Sequence, residues 1–76
     1  MSTVEIEYCV PCGHLDRAMD LQRAILQALE RDIEAVTLRT GEGGVFRVDV
    51  DGEPVFDIAD DEFDVDAIVR TVRQRI

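Results

Sequence analysis

Polar and apolar positions alternate with two different periods along this chain, and the change of period marks its elements. Val4, Ile6 and Tyr8 alternate with Glu5 and Glu7, which predicts a first strand with one buried and one wet face. From about His14 to Asp32 the period becomes helical. There Leu15, Ala18, Met19, Ile25, Leu26 and Leu29 make an apolar stripe, opposite a solvated face carrying Asp16, Arg17, Asp20, Arg23, Gln27 and Glu30. Val36 and Leu38 then alternate with Thr37 and Arg39 in a second strand, which ends at Gly41-Glu42-Gly43-Gly44. Phe46, Val48 and Val50 alternate with Arg47 and Asp49. Asp51-Gly52 supplies a tight hairpin turn into a fourth strand over Val55-Phe56-Asp57-Ile58. In the last helix Val65, Ile68, Val69, Val72 and Ile76 share a face, Asp61 or Asp64 caps the start, and Arg70, Arg73 and Arg75 lie near the end, matching the helix dipole.

The predicted order is β-α-β-β-β-α without internal repeats or linkers, in a single domain over residues 1–76. Strands one and two, joined through a helix, are expected to be parallel with a right-handed crossover, and strands three and four antiparallel. Every strand reads apolar on one face and charged on the other, so both helices are expected to cover the same face. The fold class is therefore α/β of the two-layer α+β kind: a thioredoxin-like four-stranded mixed sheet, with Glu5, Glu7, Arg39, Arg47 and Asp49 on its open face.

With 76 residues the core is too small for a large substrate cavity, so chemistry is expected at an edge. Charge narrows the classes further. Seventeen Asp and Glu face eight basic residues, all Arg, for a net charge of −9. Such a surface repels phosphate backbones and anionic membranes, which argues against nucleic acid or membrane partners. An acidic surface without lysine also resembles the usage of extreme halophiles, whose charge repulsion molar salt screens, and points to a halophilic archaeon. No signal-peptide pattern and no apolar run of membrane-spanning length is present, so a cytoplasmic location is expected. In a reducing compartment, two thiols two residues apart suit a working dithiol or a metal site better than a structural staple.

Those thiols stand in Cys9-Val10-Pro11-Cys12, where the first strand gives way to the first helix. The spacing allows a disulfide with little backbone movement, and a strand-to-helix turn presents it at the sheet's carboxyl end. One thiolate attacks and the other resolves the mixed disulfide. Pro11 removes one N–H, leaving Cys12 N–H as the donor to a Cys9 thiolate; if Gly13 delays the helix, both sulfurs lie before its first turn. A metal reading rests on Cys9, Cys12 and His14, with Asp16 or another subunit completing a set of four. His14 reads better as a residue at the helix start than as a ligand or base. A non-catalytic acidic interaction module is the other alternative. The Gly-rich stretch lacks the Lys-Ser/Thr of a phosphate-binding loop and reads as a turn.

The strand leading into C-x-x-C, the long helix, Gly44-Val45-Phe46-Arg47-Val48, the Asp51-Gly52 hairpin with Val55-Phe56, and the closing helix together resemble the Rdx family of small thioredoxin-like proteins, which includes selenoproteins W, T and H. The resemblance implies thiol redox homeostasis, with protein thiols or low-molecular-weight thiols as partners and no cofactor. It places selenocysteine's position at Cys12, the sulfur this chain carries there. Thioredoxin and glutaredoxin use a cis-proline opposite the Cys pair, where this chain has Gly43-Gly44. Two arguments then compete over the attacking sulfur. The family position favours Cys12, whereas thioredoxins attack with the exposed N-terminal Cys of the pair, which favours Cys9 with Cys12 resolving; local geometry leans to Cys9, since a residue preceding the helix receives backbone N–H groups while Cys12, in the first turn, is less accessible.

Overall fold

The computed structural model describes residues 2–76 in six elements: β1 (Ser2–Cys9), α1 (Leu15–Leu29), β2 (Ile33–Gly41), β3 (Phe46–Val50), β4 (Glu53–Asp57) and α2 (Val65–Arg75). One mixed sheet runs in the order β2-β1-β3-β4. β1 is parallel to β2, with Ile6 beside Leu38, and antiparallel to β3, with Ile6 beside Val48. β3 and β4 form the antiparallel hairpin. Val4, Ile6, Tyr8, Phe46, Val48 and Val50 are buried against both helices, so the expected α+β architecture with one covered sheet face is what forms.

The open face is a charged lattice. Arg47 reaches Glu7 at 3.0 Å and Asp49 at 3.5 Å, and Arg39 reaches Glu5 at 3.6 Å. These pairs are partly or largely exposed, and each is worth at most about 1 kcal/mol. They answer the like-charge juxtaposition of Glu5 and Asp49, which stand directly opposite in the ladder.

Four details differ from the sequence expectations. α1 ends at Leu29, not Asp32, because Asp32 N–H closes a turn on Leu29 O (2.8 Å) and releases the chain into β2 at Ile33. Its buried line is Ala18, Leu21, Ile25 and Leu29, while Leu15, Met19 and Leu26 stay 49%, 38% and 38% exposed. The apolar stripe is wider than the surface that covers it. β4 spans Glu53–Asp57, shifted towards the turn from Val55–Ile58, and Ile76 lies beyond α2 and is exposed.

At the hairpin Asp51 (φ 52°) and Gly52 (φ 85°) both take the left-handed backbone that a two-residue turn of this twist needs. Asp51 N–H donates to Thr3 O, and the Asp51 carboxylate accepts Thr3 N–H, both at 2.9 Å. That bond from Thr3, aided by the Ser2 side chain, holds the Asp51 carboxyl below the usual aspartate value.

Candidate redox site

β1 delivers Cys9 to the carboxyl end of the sheet, and a tight loop returns the chain to α1. Gly13 N–H donates to Val10 O (3.2 Å), and His14 N–H donates to Cys9 O (3.4 Å). This nested pair of bonds, one spanning three residues inside one spanning five, closes when the fifth residue of the loop is left-handed. Gly13, at φ 76°, is that residue. The loop is tied to the sheet on both sides. Cys9 N–H donates to Val45 O (2.8 Å), and Val10 N–H to Gly41 O (3.2 Å). Gly41 suits this close approach, since a Cβ there would stand 2.8 Å from Val45 Cγ1.

The geometry brings Cys9 and Cys12 together as a disulfide, with Cα atoms 5.3 Å apart, inside the range such a bond requires. The two sulfur-bearing residues are not equivalent. Cys9 is completely buried, while Cys12 is exposed on the loop. The expectation that Cys9 is the more accessible thiol and that Cys12 already belongs to the first helical turn is thus reversed. Gly13 closes the loop before the helix begins at Leu15, which leaves both cysteines ahead of it and turns Cys12 outward.

His14 is the N-cap of α1, and its side chain makes no capping bond. Its ring packs edge-on against Phe46, 5.9 Å between centroids, with Nδ1 buried and unpartnered. Phe46 also meets Phe63 at 5.3 Å and Phe56 at 6.3 Å, and the Arg17 guanidinium lies over the Phe63 ring at 5.3 Å. Arg17 is therefore held on an aromatic face. This cluster beneath the loop escaped the sequence reading, since Phe63 sits between elements where no periodicity points inward. With Cys9 and Cys12 joined as a disulfide, no three His, Cys, Asp or Glu side chains among the described residues gather as a metal-holding group.

A family profile described as Rdx matches residues 3–74. The chain belongs to the Rdx family. Two crystal structures resemble this Rdx chain over nearly all their length. A Bordetella parapertussis protein is 28% identical, covering 99% of this chain and 98% of its own, with a TM-score of 0.91. A selenoprotein W-related protein from Vibrio cholerae is 24% identical, covering 97% and 95%, with a TM-score of 0.89, and shares the fold. No curated protein sequence matches the chain. Family membership suggests a thioredoxin-like redox role, and the Cys pair stands at disulfide distance.

Proposed function

We propose that this Rdx chain is a small thiol–disulfide redox protein in which Cys12 attacks and Cys9 resolves. The observation that carries this reading is the asymmetry of the pair: a disulfide-bonded C-x-x-C whose second residue is exposed and whose first is buried. A partner's sulfur must approach the attacked or attacking atom in line, so access selects Cys12 for the intermolecular step. Burial suits Cys9 to the intramolecular step, which needs no access. The family position of selenocysteine points the same way.

The Cys12 thiolate attacks one sulfur of a substrate disulfide and expels the other as a thiolate, which takes a proton from solvent. The Cys9 thiolate then attacks Cys12 and releases the second substrate thiol. Two electrons pass from the dithiol to the substrate, and a protein or low-molecular-weight thiol returns the Cys9–Cys12 disulfide to the dithiol. No helix among the described residues is long and apolar enough to cross a membrane, and a cytoplasmic setting suits this chemistry.

The test compares Cys9→Ser with Cys12→Ser, each reduced and then offered iodoacetamide and an oxidised thiol at pH 7. Cys9→Ser is expected to label fast and accumulate a mixed disulfide, and Cys12→Ser to label at least about tenfold more slowly. The opposite pattern would return the attack to Cys9. Tight zinc binding that blocks labelling of the unmutated protein would replace the redox reading with the metal one.

A further inference from the structure

The two edges of the sheet are built differently. β4 is short, carries Pro54, and its pairing with β3 is irregular between Val48 and Asp49, all devices that blunt an edge against further pairing. β2 is nine residues long, contains no proline and ends beside the Cys loop. Its hydrogen bonds reveal what it offers. Gly41 O accepts from Val10 on the β1 side, and peptide groups alternate sides along a strand, so the N–H and C=O groups of Val36, Leu38 and Thr40 point away from the sheet.

An apolar flank lies along this edge. Val36 and Leu38 are half-buried on the helix face, in register with Val4 and Ile6. On α1, Leu15, Met19 and Leu26 form a line displaced from the buried one, on the side opposite Ala24 and Ala28, which border α2. Val10, 51% exposed, extends the line to the redox loop. Four of the five exposed large apolar side chains among the described residues thus share one flank. A shallow groove of about 460 Å³ between Val10, Pro11 and Thr40–Glu42 joins the strand edge to the loop.

Charge selects the occupant. β2 carries one Glu and one Arg, while residues 57–66 alone carry six carboxylates. Carboxylates border both ends of the flank: Asp16 and Glu42 by the loop, and Glu30, Asp32 and Glu34 at the far end, where Arg31 is the one cation. A second copy brings another charge of −9, and an anionic small disulfide such as glutathione disulfide is repelled likewise. We propose that the β2 edge docks an extended segment of a partner protein, apolar at its centre and cationic at its ends, which presents to Cys12 the disulfide that the dithiol reduces. The inference rests on the redox reading above. The segment's backbone pairs with Val36, Leu38 and Thr40 while its apolar side chains cover the α1 flank.

The test uses the reduced protein and three disulfides: a synthetic peptide disulfide with an apolar centre and lysine ends, the same peptide with glutamate ends, and glutathione disulfide. Exchange rates are normalised to each protein's iodoacetamide rate. The lysine-ended peptide is expected to react at least about tenfold faster than the other two at low salt, with the gap closing to about twofold in 1 M KCl. Thr40→Pro removes one outward N–H and no ladder bond, and is expected to slow the lysine-ended peptide about fivefold or more. Met19→Asn, which removes apolar cover from the exposed flank without changing its charge, is expected to slow it too and serves if Thr40→Pro does not fold. Equal normalised rates for all three disulfides, unmoved by either variant, would overturn docking and leave the dithiol chemistry standing. Alkylation without exchange with any disulfide would sink the redox reading itself. A dimer in sedimentation that Thr40→Pro dissolves would assign the edge to a second copy and overturn the proposal.

Discussion

The two helices solve the problem of their own ends in opposite ways. α1, Leu15–Leu29, is made largely of strong helix formers, with Ile25 its one β-branched residue, and it has neither a side-chain N-cap nor a basic last turn. α2, Val65–Arg75, contains Val65, Ile68, Val69, Thr71 and Val72, which lose rotamer freedom in a helix. It is supported at both ends. Ala67 N–H donates to Asp64 Oδ1 (3.2 Å), Arg73 and Arg75 occupy the last turn, and Arg75 donates to Glu53 at 3.2 Å. Composition lets α1 stand without a cap, and the end left uncapped is the one that follows the Cys loop. The first N–H groups of α1, which follow Cys12 by three residues and more, therefore remain free of a side-chain acceptor.

The largest effect should come from the residue that joins the two helices' ends. Phe46 touches His14 before α1 and Phe63 before α2, and it is fully buried. Phe46→Ala is expected to cost about 3–5 kcal/mol, a large share of the roughly 5–15 kcal/mol that holds such a domain together. Urea denaturation should show the loss as a lowered midpoint, and labelling of reduced Cys9, which the fold buries, should begin at correspondingly lower urea. A midpoint within about 0.5 kcal/mol of the parent would mean that the two helix ends are supported independently.

Strands were legible in the sequence because each has one wet face. Val4-Glu5-Ile6-Glu7-Tyr8 and Phe46–Val50 read at once as period two, and the pairing followed from the connections. The helices were less legible. Leu15, Met19 and Leu26 have the spacing of core residues, and only the width of the surface packed against α1 leaves them out, while Leu21 carries the burial instead. The Cys pair was legible because its members are local. Which sulfur is exposed was not, since it depends on Gly13 closing the loop just before the helix. The cap of α2 was narrowed to Asp61 or Asp64, and only the bond to Ala67 N–H decides it.

That bond gives the middle-sized prediction. Asp64→Ala should cost about 1 kcal/mol, or about 4–8 °C in melting temperature, because α2 loses its one side-chain cap and its composition compensates little. Asp61→Ala, removing an exposed carboxylate of equal charge without a capping bond, is the control and should stay within about 0.5 kcal/mol of the parent. Equal losses in the two variants would mean that charge near the helix start matters and the cap does not, which would weaken the contrast between the helices.

The smallest effect tests the uncapped end directly, by giving α1 what α2 has. In His14→Ser the hydroxyl can accept an N–H of the first turn, a gain of about 0.5–1 kcal/mol, while the edge contact with Phe46 is lost at about 0.5–1.5 kcal/mol. Stability should therefore change little. Reactivity should change more, because a capped N-terminus offers less positive charge to the thiols, and the pH midpoint for alkylation of the reduced protein should rise. His14→Phe separates the causes. It keeps a ring on Phe46, removes any imidazolium and adds no cap, so its midpoint should stay below that of His14→Ser. Equal midpoints in the two variants would show that α1's open end does nothing for the sulfurs, and that the missing cap reflects only the ease with which this sequence forms a helix.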